Sequence, residues 1–120
     1  MAKIEKFEDL ICWQKSRELV KEIYRITNTE KFSRDFALRD QARRAAISSM
    51  LNISEGFARR TNKEFSKFLY ISHGSIAEVQ SAMYIALDLS YIDSIEFERI
   101  YNNSTEVSKI ISGLLKKLRE

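Results

Sequence analysis

Two arginine pairs, Arg43-Arg44 and Arg59-Arg60, stand near the ends of the segment Gln41–Arg60, QARRAAISSMLNISEGFARR. A guanidinium presents a planar fork of donors that fits two phosphate oxygens at once, whereas a lysine ammonium acts as a point charge. Of these and their basic neighbours, Arg39, Arg43, Arg60, Lys63 and Lys67 have few acidic partners at helical spacing and form a candidate phosphate-contacting set. On a wheel of about 100° per residue, Arg39, Arg43 and Arg60 fall on one side of a continuous helix. Arg44 follows Asp40 by four residues and Arg59 follows Glu55 by four, so each has an acidic partner at favourable helical spacing. The competing reading makes these arginines structural or simply solvated; Arg43 shares the arc of Met50 and can equally sit in a buried ion pair.

No other constellation carries chemistry. The single histidine, His73, falls mid-helix beside an apolar stripe, where a polar residue at a packed edge is the commoner outcome. His/Cys spacings for zinc, glycine-rich phosphate loops and a GxSxG elbow are all missing. The carboxylates are dispersed, and Ser48 and Ser49 have no histidine nearby in sequence. The expectation is a non-enzymatic protein with no cofactor and no metal; an RNA-processing activity requires His73 and carboxylates to converge through the fold. Trp13 and the tyrosines can stack on bases, although their places on or beside helical stripes favour core packing. Without a recognition-helix or RNA-module signature, any nucleic-acid binding is expected to read backbone and shape.

Composition sets the class. The chain has 120 residues, 44% hydrophobic and 31% charged, with a net charge of +3. That is the profile of one globular domain over residues 1–120 rather than a disordered or membrane-spanning chain. The basic excess lies in residues 1–60, which weakly favours a polyanionic partner. MAKIEKFEDL lacks an apolar signal core, and the lone Cys12 cannot form an internal disulfide, so a cytoplasmic location is expected.

The elements that must position the arginines are helices. Proline is absent and glycine occurs three times, a composition poor in turns. Trp13, Ser16, Val20, Ile23 and Thr27 recur at helical steps, widened by Cys12, Leu19 and Ile26, and predict a first helix over Phe7–Asn28. Thr27–Ser33 reads as a loop. A second helix is expected over Arg34–Arg60 with Ser33 as N-cap. A third starts at the capping box Thr61–Glu64 and runs to Ser90 on a stripe of Phe65, Leu69, Ser72, Ile76, Val79, Met83 and Leu87. A fourth follows a second box, Asp93–Glu96, on Ile100, Val107, Ile111, Leu114 and Leu118; Lys116, Lys117 and Arg119 complement its C-terminal dipole. Short connections imply an all-α fold, an antiparallel up-down-up-down four-helix bundle.

The second helix shows two faces. Ala46, Met50, Ile53 and Phe57 suit the core, while Gln41, Ala45, Ser48, Asn52 and Gly56 lie roughly opposite and admit close backbone approach. The third helix carries a further strip of Ile71, Gly74, Glu78 and Ile85, where Glu78 can meet an arginine of another helix or subunit. Ala45, Ser48, Asn52, Gly56, Gly74 and Glu78 are thus candidates for helix packing or for an oligomer interface. Secondary faces favour a homo-oligomer; the alternative is one broad core that buries both.

FEDLICWQKS, the Ile23-Tyr24 pair, LRDQARRAAISSMLNISEG and EFSKFLYISHGSIAE together resemble the bacterial four-helix-bundle proteins encoded in 23S rRNA intervening sequences, also called the S23-type ribosomal protein family. The most specific part is QxRRAAxSxxxNIxEGxxR, here Gln41 to Arg59. Family members often carry proline before the Asn-Ile pair or in the first loop, where this chain has Leu51 and no proline. The resemblance implies an up-down bundle, commonly a homopentamer. It is also similar to the accessory variability protein of diversity-generating retroelements, a basic pentamer that binds nucleic acid and a reverse transcriptase. Carried over, that implies contact of Arg43, Arg44 and Arg59, with Arg60 added on charge alone, to RNA, DNA or a reverse transcriptase. The expected function is therefore an oligomeric nucleic-acid-binding bundle, with a protein-interaction scaffold as the alternative.

Overall fold

A computed structural model describes residues 3–119. A 3-10 turn, Phe7–Asp9, leads into α1 (Ile11–Thr27), followed by α2 (Glu30–Arg34), α3 (Phe36–Ala58), α4 (Asn62–Asp88) and α5 (Ser94–Leu118). Four long helices and no strand among the described residues make an all-α bundle, about 46 Å long and 22 Å by 19 Å across. No helix among them is long and apolar enough to cross a membrane.

Three boundaries differ from the sequence expectation, each for a local reason. The first helix starts at Ile11 because the chain breaks at Leu10 in an extended conformation after the 3-10 turn. The expected loop 27–33 holds α2, whose Phe32 is fully buried. The N-cap of α3 is Asp35 rather than Ser33: Asp35 Oδ1 accepts the Leu38 amide at 3.1 Å, while the Ser33 hydroxyl turns back to Glu30 O at 3.0 Å. Both expected capping boxes form by half. Thr61 Oγ1 accepts the Glu64 amide at 3.2 Å and Asp93 Oδ1 the Glu96 amide at 2.8 Å. The Glu96 carboxylate does not return to its cap; Arg25 and Arg99 take it, and the same two arginines hold Glu22, joining α1 to α5.

Cross-helix pairs fix how the helices lie. Lys15–Glu106, Arg99–Glu22 and Arg25–Glu96 run in opposite sequence order on α1 and α5. Gln41–Glu78, Ser48–Ser75 and the Ser72 hydroxyl on Ser49 O do the same on α3 and α4. The core divides into two apolar clusters. One holds Leu19, Ile23, Phe32, Met83 and Ile100; the other holds Cys12, Ile53, Leu69, Val107 and Ile111. Each of the four long helices contributes a fully buried serine, Ser16, Ser49, Ser72 and Ser104. Ser49 and Ser104 satisfy their hydroxyls on backbone carbonyls of their own helices.

Cys12 is 1% exposed, and burial pushes its thiol up from 9.0 to about 11. The folded state therefore favours the neutral thiol. That stability is fully present below pH 9 and is lost as pH rises toward 11. Between pH 8 and 10.5 the loss due to this group should be about 2 kcal/mol. Urea melts at the two pH values, compared with Cys12→Ala, check it: the alkaline loss should be smaller in the variant by that amount, and equal slopes would contradict it.

On α3 the buried residues are Leu38, Ala42, Ala45, Ala46, Ser49, Ile53 and Gly56. The core arc thus lies between the two faces expected from the sequence. Met50 and Phe57, expected in the core, are half-buried, while Ala45 and Gly56 are buried and Ser48 and Asn52 half-buried. The cause is a close approach to α4: a Cβ built on Gly56 would stand 2.6 Å from Phe68 Cβ and 3.2 Å from Phe65 O. Ser48 and Ser75 share a hydrogen bond of 2.9 Å across the same seam, and Asn52 Nδ2 donates to Ser48 O and Oγ.

Candidate nucleic-acid interface

The structure divides the expected basic set between the two ends of the bundle. Arg43 and Arg60 are seventeen residues apart in sequence, about 25 Å along a helix axis. At the first end, two arginines are engaged within the chain. Arg43 Nε donates to Thr27 Oγ1 at 2.8 Å, and its guanidinium lies 4.5 Å from the Tyr24 ring centroid, fastening α3 to the last turn of α1. Arg39 donates to Asp40 at 2.8 Å and to Ser33 O at 3.1 Å, and covers the Phe36 ring at 4.8 Å. The Arg39 hydrogen bond holds the Asp40 carboxyl below its ordinary range. Asp40 therefore serves its neighbour and does not form the expected i,i+4 pair with Arg44, because Arg39 wraps back along the helix surface. Arg44 is exposed and makes no ion pair among the described residues.

The second end is built by the α3–α4 turn. Arg59 spans Glu55 at 3.6 Å, as its spacing implied, and Glu64 at 3.7 Å, while covering the Phe68 ring. Arg60 stands beyond α3 with φ of 72°, so its place on the α3 wheel does not hold. Arg60, Lys63 and Lys67 are exposed, with no ion-pair partner among the described residues. Arg60, Thr61 and Asn62 line a groove of about 310 Å³ with Leu114 and Leu118, which brings the last turn of α5 to the same end. Lys116 and Lys117 are exposed in that last turn, and Lys117 lines a neighbouring groove with Asp9 and Ile11. The sequence alone did not bring α5 to this end; its antiparallel return places Leu114 and Leu118 beside Arg60.

A left-handed arginine carries a backbone cost of about 1–2 kcal/mol that glycine does not. Arg60 occupies the position after the helix C-cap where glycine is usual. Arg60→Gly should therefore raise stability by about 1 kcal/mol in thermal or urea melts; a destabilised variant would show that the arginine side chain holds the turn.

Of the remaining candidates, Ser48, Asn52 and Gly56 line the α3–α4 seam, and Ala45 is buried in the apolar cluster of Leu19 and Met83. Gly74 and Glu78 are exposed on α4, and within the chain Glu78 accepts a hydrogen bond of 3.4 Å from Gln41 Nε2 and meets no arginine of another helix among the described residues. His73 is half-buried. The exposed side of α4 also carries Tyr70, Ile71, Tyr84 and Ile85, each about half exposed.

The comparisons with known proteins agree with this architecture. A crystal structure of a protein of unknown function from the S23 ribosomal protein family, from Bacteroides thetaiotaomicron, superposes with a TM-score of 0.81 at 25% identity, covering 88% of this chain and 99% of that one. No curated protein matches the chain. Residues 8–113 match the family described as the 23S rRNA-intervening sequence protein. That match spans both arginine pairs, the Gly56 seam and most of α5, and the chain belongs to the 23S rRNA-intervening sequence protein family.

Proposed function

We propose that this protein is a non-enzymatic, RNA-binding homo-oligomer whose phosphate-contacting surface is the Arg60–Lys67 end of the bundle. The observation that carries the reading is the exposure of Arg60, Lys63 and Lys67 without carboxylate partners among the described residues. Unpaired cations grouped at one end bind a polyanion by releasing its condensed counterions, and they carry little base information. Arg39 and Arg43 are engaged within the chain and lie outside this phosphate-contacting end; Arg44 extends the basic surface separately. Filter binding of a structured RNA at low salt tests the reading. Retention that weakens steeply with salt is expected, and no retention would sink it.

The apolar strip of Tyr70, Ile71, Tyr84 and Ile85, with Gly74 open beside it, supports self-association. A pentamer is the assembly that the sequence resemblance implies. Light scattering at micromolar concentration should give a mass several times the 14.1 kDa chain; a monomer would contradict it. The same strip favours a second reading, a scaffold for another protein such as a reverse transcriptase. That reading predicts a captured partner that is lost in Ile71→Lys/Ile85→Lys and no RNA retention at low salt.

A further inference from the structure

The outer face of α1 carries a second arrangement, separate from the basic end. Trp13, Arg17, Lys21 and Tyr24 fall within an arc of about 80°. The Arg17 guanidinium lies 5.8 Å from the Trp13 ring centroid, and Arg43 reaches from α3 to lie 4.5 Å from that of Tyr24. Both stacks are held in place. Phe7 meets Trp13 edge-on at 5.1 Å, and Thr27 accepts from Arg43 Nε at 2.8 Å. Trp13 is half-buried and Tyr24 is 40% exposed. Trp13, Arg17 and Lys21 line an open groove of about 350 Å³ with Gln14 and Glu18. Structural packing accounts for Arg43 on Tyr24, since that pair joins two helices. It does not account for Arg17 and Lys21, which are exposed and make no ion pair among the described residues.

We infer that this face is a stacking platform for single-stranded RNA. A base has a π-face that stacks on an aromatic ring or on a guanidinium plane, and a single strand, unlike a duplex, has bases free to do so. The Trp13–Arg17 and Tyr24–Arg43 pairs are two such stations, about 17 Å apart along α1. Lys21 stands between them to meet the connecting phosphate. Trp13 lies in the first turn of α1, whose preceding residue Leu10 lines the groove with Arg60, so the platform begins at the basic end. Glu18 borders the groove on one side and limits the strand to the opposite edge.

The inference rests on the RNA-binding reading and specifies the strand state that the protein engages. Trp13 is the one tryptophan, so emission excited selectively from tryptophan reports on the Trp13 surroundings. Oligouridylate should quench Trp13, and an RNA duplex of equal length should bind without quenching. Tyr24→Leu, at an exposed position, should weaken single-strand binding by about 5-fold or more while leaving duplex binding within about 2-fold. Arg17→Ala/Lys21→Ala should do the same without disturbing the core. Duplex and single strand bound alike with no quenching would overturn the platform and leave the basic-end reading standing. Binding of neither would remove both. Equal quenching by polyglutamate would overturn the platform by showing a face that takes any acidic polymer, proteins included.

Discussion

Gly56→Ala will destabilise the protein by about 1–3 kcal/mol, although alanine is the better helix former by about 1 kcal/mol. The new methyl would meet Phe68 Cβ at 2.6 Å and Phe65 O at 3.2 Å. Neither atom is the free end of a flexible side chain, so relief requires α3 and α4 to move apart. That movement also stretches the Ser48–Ser75 bond and the Ser72 bond to Ser49 O. Gly113→Ala is the control: nothing stands within 4 Å of its Cβ, and it should be neutral or stabilising by up to about 1 kcal/mol. Urea melts of the two variants decide the matter. Equal effects at both positions would mean that the seam is not tight, and a stabilised Gly56→Ala would contradict the packing directly.

The second large effect concerns RNA. Arg60→Ala/Lys63→Ala/Lys67→Ala should lower affinity for a duplex RNA by about 10- to 100-fold at low salt while leaving the fold intact, because all three side chains are exposed. Arg39→Ala should change duplex affinity by less than about 2-fold, since that arginine is held by Asp40, Ser33 O and the Phe36 ring. Gel-shift titrations of both variants with one RNA make the comparison. An Arg39 effect as large as the triple would relocate the contact to the opposite end of the bundle.

The helical stripes were legible where large apolar residues recur. Six of the seven stripe residues expected on the third helix, Phe65 to Met83, are buried on α4, and Leu87 is half-buried. On α3 the signal failed because its buried positions are mostly Ala, Ser and Gly, which a hydrophobicity pattern reads as polar or neutral. Contact distance chose those residues, and distance to a partner helix is not written in the local sequence. The short helix α2 was missed because Phe32 is its lone buried residue. The arginines were legible as a group but not in their partners. Asp40 stands at good spacing for Arg44 and at hydrogen-bonding reach of Arg39, and only side-chain geometry selects between them. Leu114 and Leu118 read as stripe residues of their own helix; the antiparallel return of α5 also sets them beside Arg60.

The most direct test of the central claim is the salt dependence of duplex RNA binding. Each phosphate contact in a duplex contributes about 0.9 to the slope of log Kobs against log salt. The wild-type protein should show a steep negative slope, and Arg60→Ala/Lys63→Ala/Lys67→Ala should flatten it by between 2 and 3, about 0.9 for each cation removed. An unchanged slope in the triple variant would contradict the assignment of this end of the bundle as the phosphate-contacting surface.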